Sequence, residues 1–219
     1  MKIKNLGFLL LIFLLSSCNY NGQSKNETTA SKKSSPEMKT GLSTAVFAEG
    51  CFWCSEHIFE SVVGVEDAVS GYTGGRTKNP TYEEVSSHTT GHAEAVKVYY
   101  DPKVVSFKEL VDVFFASQDP TTPNQQGPDV GDSYRSIAFY KNAEEKKIIE
   151  DKIKDLTAKK VFRNPIVTEV RPDTVFYNAE DYHQEYIQNH PNDPYVRGVS
   201  IPRYNDFKKN YKGKLKPNS

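Results

Sequence analysis

The chain has 219 residues, with 28 lysines and arginines against 28 aspartates and glutamates, and so no net formal charge. That balance gives no reason to expect a nucleic-acid partner, and three cysteines are too few to staple a secreted fold. Thirteen tyrosines and 12 phenylalanines supply one sizeable core, which fits a single globular domain with appendages.

Lys2 and Lys4 precede an apolar run from Leu6 to Leu15, too short for a stable span and shaped like a secretory signal peptide. It closes on Leu15-Ser16-Ser17-Cys18, which resembles a bacterial lipobox. Residues 1–17 are then a lipoprotein signal peptide and Cys18 is the lipidated residue; an ordinary signal peptide with a chance cysteine is the competing reading. Acyl chains on Cys18 would hold the protein to a membrane surface without a spanning helix. Asn19 follows, not aspartate, which favours the outer membrane of a bacterial envelope, facing the periplasm. Residues 18–40 are rich in Ser, Lys, Asn and Thr and read as a flexible tether.

The domain is expected over residues 41–203. Ser43 to Ala48 reads as a buried strand, Glu49-Gly50 as a turn, and Ser55 to Val62 as a helix with Cys51 at its entrance. Backbone N–H groups there would lower a cysteine pKa. Val65 to Tyr72 is a second strand, closed by Gly74-Gly75, and a polar loop runs on to Gly91. His92 to Tyr100 is a third strand, whose alternation puts Glu94 with Val96 and Val98 on the more apolar face. Ser106 and Glu109 form a capping box that opens a helix. A long loop from Asp119 to Ser133 has the length of a functional one. Ser136 to Tyr140 is a strand, Asn142 opens a charged helix to about Lys160, Ile166 to Val170 is a strand, and Ala179 to Asn189 a last short helix. Residues 204–219 read as a loosely packed basic tail. The order predicts an α+β two-layer sandwich with a ferredoxin-like core and a mostly antiparallel sheet.

Chemistry concentrates in Gly50-Cys51-Phe52-Trp53-Cys54, which holds two of the three cysteines and the only tryptophan. Haem attachment needs histidine after the second cysteine, and Ser55 stands there. Structural zinc needs a second ligand pair, which is missing, and the order of His92-Ala93-Glu94 relative to the cysteines is reversed from that of a zinc deaminase. Redox chemistry remains, as disulfide exchange or as reduction of a specific oxidised substrate, with two inert thiols as the plain alternative. Cys51 reads as the nucleophile and Cys54 as its resolving partner. Phe52 and Trp53 would wall an apolar pocket, with Glu94, Tyr82 and Tyr134 as donors to an oxygen.

Eight ordered motifs then carry a resemblance. Gly50-Cys51-Phe52-Trp53 with Glu56, Gly71-Tyr72-Thr73-Gly74-Gly75, Asn79-Pro80-Thr81-Tyr82, Gly91-His92-Ala93-Glu94-Ala95-Val96, Tyr100-Asp101-Pro102, Gln126-Gly127-Pro128-Asp129-Val130-Gly131, Tyr134-Arg135-Ser136 and Ala179-Glu180-Asp181-Tyr182-His183-Gln184 resemble the peptide methionine sulfoxide reductases of the A type. The resemblance spans about Thr44 to His190. It implies reduction of the S epimer of methionine sulfoxide, protein-bound or free, by a monomer with no bound cofactor or metal. It implies Cys51 as the residue attacking sulfur and Glu94 as the acid at the sulfoxide oxygen. Phe52 and Trp53 would hold the S-methyl group, with Tyr82, Tyr134 and Asp129 as polar companions. The commonest family form has glycine where Cys54 stands and resolves with cysteines near the C-terminus. This chain has no cysteine after Cys54, so a Cys51 sulfenic acid would condense with Cys54 and a thioredoxin-type reductant would reopen the disulfide. A general envelope disulfide oxidoreductase is the alternative, and a non-catalytic lipoprotein that binds a partner is a third reading. His92 and His183 read as buried structural histidines, Glu180 and Asp181 as acids of a helix's first turn.

Overall fold

A computed structural model describes residues 41–217. The expected signal peptide, Cys18 and the whole of the tether lie outside the described residues.

Apolar alternation sets the first strand, β1 (Ser43–Glu49), which hands the chain through Gly50 to α1 (Phe52–Glu60). β2 (Val65–Thr73) returns along the sheet, and after the short α2 (Tyr82–Ser86) comes β3 (Ala93–Tyr100). α3 (Phe107–Ala116) starts at the expected capping box, with Ser106 Oγ accepting from Glu109 N and the Glu109 carboxylate accepting from Ser106 N. A ribbon of β4 (Gln125–Gln126) and β5 (Asp129–Val130) precedes β6 (Ser136–Tyr140), and Asn142 caps α4 (Ala143–Ala158). β7 (Glu169–Pro172), β8 (Tyr177–Asn178), α5 (Tyr186–Asn189) and α6 (Ile201–Asn210) complete the order.

Six strands make one sheet in the order β7-β6-β1-β3-β2-β8, antiparallel at every pairing except β6 with β7. The inner four, joined through α1 and α3, give the antiparallel order β6-β1-β3-β2. One face of the sheet carries the main core. Phe47 of β1 stacks on Phe59 of α1 at 5.1 Å and on Phe114 of α3 at 5.3 Å, and α4 and α6 add Ile149 and Phe207. Such a core holds because aromatic and aliphatic surface leaves water together. Val96 and Val98 lie on that face as expected; Ala93 and Ala95 lie on the other, where Val46, Ile137 and Phe139 form a smaller cluster. The α+β layering with a mostly antiparallel sheet is what the sequence predicted.

Four expectations need correction. The helix after the turn begins at Phe52, so both aromatics belong to its first turn. The strand expected over Ile166 to Val170 is displaced to β7, because Val167 N donates to Pro120 O at 2.8 Å and draws that stretch towards the loop. The single helix over Ala179 to Asn189 is two short turns, broken where Gln184 is extended and Glu185 is left-handed (φ 52°). The Gln184 side chain explains the break: it bonds Ser70 N, Ser70 O and Ala179 O, clamping the segment to β2. The expected loose tail contains most of α6, whose Tyr204 and Phe207 are buried at i and i+3, and Leu215 bridges back to Val62.

Candidate active site

The turn between β1 and α1 builds the site. Gly50 is left-handed (φ +93°), and a Cβ there would meet Gln126 Cβ at 2.5 Å, so the loop packs onto a residue that only glycine tolerates. Cys51 is the N-cap of α1 and Cys54 sits one turn further on. They are 6% and 2% exposed and both are free thiols. The Cys54 thiol donates to Ser200 Oγ at 3.3 Å.

Their ionisation departs from the expectation. Burial pushes the Cys51 thiol up, and its hydrogen bond with Cys54 and the nearby Glu94 charge add to that. Cys54 is lowered to about 6, chiefly by the bond from Cys51, with burial opposing and Arg203 and Ser200 assisting. The helix start is where the sequence placed it, but burial outweighs its dipole at Cys51. One thiolate is held between the two sulfurs, on the Cys54 side.

Glu94 stands on β3 opposite Tyr72 of β2 and is 3% exposed. Phe52 N donates to its Oε2 at 3.0 Å. Burial raises its pKa to about 8, against that bond, and the Asp129 and Cys54 charges raise it further. A carboxyl so placed is mostly protonated at neutral pH and is an acid ready to donate.

An aromatic wall surrounds these groups. Phe52 is buried, its ring 5.8 Å from Tyr72 and 6.5 Å from Tyr82. Trp53 is half-buried, stacked flat on Tyr186 at 3.7 Å, and its indole N–H donates to His183 Nδ1 at 3.1 Å. Tyr82 opens α2, whose Thr81–Glu84 capping box was legible in the polar loop and was missed. Glu180 accepts from Tyr82 N at 2.9 Å and from the Tyr72 hydroxyl at 2.8 Å, so it positions α2 rather than serving as a first-turn helix acid. Tyr82 and Tyr134 are both raised, first by burial and then by Glu94 nearby, and stay neutral donors. Asp129 on β5 accepts from the Tyr195 hydroxyl at 2.5 Å, and Tyr195 works against the rise of the Cys51 thiol.

The structure thus gathers Cys51, Cys54, Phe52, Trp53, Tyr82, Glu94, Asp129 and Tyr134 into one site. Cys18 lies outside the described residues. His92 is structural: Gly75 N donates to its Nδ1 at 3.1 Å, and its Nε2 meets Thr77 O at 2.8 Å. Sequence reasoning missed Tyr195, Ser200 and Arg203, which lie between the last expected helix and the supposed tail; the buried spacing of Tyr204 and Phe207 was the available signal. Among the described residues, no group of three or more His, Cys, Asp or Glu is arranged to hold a metal ion, and no helix is long and apolar enough to cross a membrane.

The geometry suits attack of a buried thiol on a small polar centre whose oxygen meets an acid and two phenols. Comparison with known proteins agrees. The family model described as peptide methionine sulfoxide reductase matches residues 43–215. The chain is 47% identical over 173 residues to the peptide methionine sulfoxide reductase MsrA of Sulfolobus acidocaldarius, covering 79% of this chain and 97% of that one. It is 50% identical over 171 residues to MsrA of Methanosarcina acetivorans, covering 74% and 91%. Among solved structures, Mxr1 from Saccharomyces cerevisiae in reduced form is similar at a TM-score of 0.66 and 34% identity, covering 71% of this chain and 89% of that one. Methionine sulfoxide reductase A of Corynebacterium diphtheriae is similar at 0.62 and 35%, covering 70% and 77%.

Proposed function

We propose, for a chain that belongs to the peptide methionine sulfoxide reductase family, a cycle that runs on the thiols of Cys51 and Cys54 and the acid Glu94 and takes the S epimer of methionine sulfoxide. The family makes it a thiol-dependent oxidoreductase that returns methionine sulfoxide to methionine. The observation that carries the cycle is the buried Glu94, raised to about 8 and tied to the residue after Cys51.

The S-methyl group rests against Phe52 and Trp53, and the sulfoxide oxygen faces Glu94, Tyr82 and Tyr134. Cys51 attacks the sulfur as its proton passes to Cys54, and Glu94 gives its own proton to the oxygen. That oxygen becomes more basic as sulfur is attacked, so these donors act most strongly in the transition state. Methionine leaves and Cys51 retains the oxygen as a sulfenic acid. Cys54 then attacks the Cys51 sulfur, water departs, and a Cys51–Cys54 disulfide remains. A thioredoxin-type dithiol reduces it, and its own two thiols become a disulfide. A general disulfide exchanger would have no use for Glu94 or the aromatic wall.

Attachment to the bacterial envelope through Cys18 belongs to the same proposal. It is supported by the lysine-flanked apolar run and by Leu15-Ser16-Ser17-Cys18. Labelled fatty acid should enter the protein in cells and be lost in Cys18→Ala; equal labelling of both would remove this part.

The cycle is tested by mixing the reduced chain with one equivalent of a methionine sulfoxide peptide, without reductant. One methionine and one Cys51–Cys54 disulfide per chain are expected. Methionine formed with both thiols still free would contradict it.

A further inference from the structure

Arg203 and Ser200 lie one turn apart where the chain enters α6; Ser200 bonds the resolving thiol and Arg203 lines the cavity beside it. The Cys54 sulfur and Ser200 Oγ are 3.3 Å apart and both residues are buried; the thiol donates to the hydroxyl, and once ionised it accepts from it. Arg203 lines the same cavity as Cys54, a space of about 370 Å³ whose walls do not include Cys51, Phe52, Trp53 or Glu94. Its guanidinium is fixed on one side: Nε donates to Ser117 O at 2.8 Å, and Nη2 to Glu49 O at 2.8 Å and to Glu49 Oε1 at 3.1 Å. The other end, Nη1, lies over the Gly50 turn, 3.5 Å from where a Cβ of that residue would sit.

A buried cation held this firmly usually answers one buried carboxylate. Here it answers more. Glu49 is fully buried, and burial raises it to about 7 despite Arg203, so near neutrality it is only partly charged. The guanidinium is therefore left with positive charge to offer its other neighbour. The charged and titratable groups around Cys54 are Cys51 and Glu49 on the β1–α1 unit, Glu94 on β3, Asp129 on β5, Tyr195 before α6, and Arg203 and Asp206 on α6. Arg203 is the one cation among them.

We propose that Arg203 is the positioning residue of the resolving step: with Ser200 it holds Cys54 as a thiolate, ready to attack the Cys51 sulfenic acid. The inference rests on the cycle proposed above and adds to it the group that makes Cys54 a nucleophile. Cys54 gives up the proton it took from Cys51 and its thiolate attacks: the S–S bond forms, the S–O bond of the sulfenic acid breaks, and the oxygen takes that proton and leaves as water. The negative charge on Cys54 is spent in that step, while Arg203 keeps its bonds to Glu49.

The experiment measures Cys54 directly. The full, reduced chain is alkylated with iodoacetamide between pH 4 and 10, and each thiol is followed by fragment mass spectrometry. In parallel, the Cys51 sulfenic acid is trapped with dimedone during a single turnover. Arg203→Met is expected to raise the Cys54 midpoint by about 1 pH unit or more, as loss of a close opposite charge does. It should also lengthen the sulfenic acid's lifetime severalfold at pH 6 to 7, with one methionine still released per chain. Arg203→Lys should recover part of both effects. Glu49→Gln breaks the same ion pair but keeps the guanidinium, so it should not raise the midpoint. Arg203→Met/Glu49→Gln leaves no buried unpaired carboxylate and should still show the raised midpoint if the single variant folds poorly. An unmoved Cys54 midpoint in both arginine-to-methionine variants, or an equal rise in Glu49→Gln, would overturn the proposal. Failure to form methionine at all would instead count against the reductase cycle.

Discussion

The Phe52 N–H donates to Glu94 Oε2 across 3.0 Å. The first residue of the helix that follows the nucleophile therefore holds the acid. One short bond ties β3 to the start of α1, so acid and nucleophile keep one geometry through the cycle. The second carboxyl oxygen is left for the substrate.

Replacing the acid tests its role first. Glu94→Gln keeps the shape and removes the proton donor. The first-turnover rate should fall by roughly a hundredfold or more, as for other losses of a transition-state donor. The parent enzyme works with Glu94 protonated and Cys54 ionised, so its rate should be greatest between about pH 6 and 8 and drop as pH rises through 8. The variant should lack that drop. Rapid-quench single turnovers from pH 5 to 10 give both profiles.

The same carboxyl makes stability depend on pH. Glu49 and Glu94 are raised from 4.5 to about 7 and about 8 by burial. The folded state thus binds more protons than the unfolded state between those limits. The stability tied to these protons is fully present below pH 4.5 and is lost as pH rises through the folded values. Each pH unit in that interval costs about 1.4 kcal/mol per group. Glu94→Gln should therefore be more stable than the parent at pH 8 and little different near pH 4, measured by urea unfolding at each pH.

Cys54→Ser separates reduction from recycling. It should release one methionine per chain, more slowly than the parent because serine cannot take the Cys51 proton, and then stop, with thioredoxin unable to restart it. Unchanged thioredoxin-driven turnover would show that Cys54 is not the resolving thiol.

The aromatic wall should govern binding more than chemistry. Tyr186 carries Trp53 in a flat stack at 3.7 Å, and such pairs are worth about 0.5–1.5 kcal/mol. Tyr186→Ala should raise KM by about two- to tenfold with a smaller change in first-turnover rate. Steady-state and single-turnover kinetics on one peptide distinguish the two.

Much of this was legible in the sequence because local signals agreed with the fold. Ser106 and Glu109, Asn142, and the Glu49-Gly50 turn each mark an element end through their own side chain or backbone. The pairing of Glu94 with the apolar face followed from alternation on β3. What escaped is what long-range contacts decide. The hydrogen bond between the two thiols, with burial raising Cys51, makes Cys54 the more acidic, and no local pattern reports either. Gln184 breaks a helix only because Ser70 lies beside it. Arg203, Ser200 and Tyr195 sit at least 141 residues beyond Cys54, and their reach to the thiols is set by the packing of Tyr204 and Phe207. Within the site, the residues named from the motifs come together; the groups that hold them, Glu180, His183 and Glu49, needed the structure.

The most direct measurement gives the reduced chain a racemic methionine sulfoxide peptide with dithiothreitol and follows each epimer by chiral chromatography. The account expects the S epimer alone to disappear, with no loss in Cys51→Ser and a much slower loss in Glu94→Gln. Equal loss of both epimers, or loss of neither while simple disulfides are reduced, would contradict it.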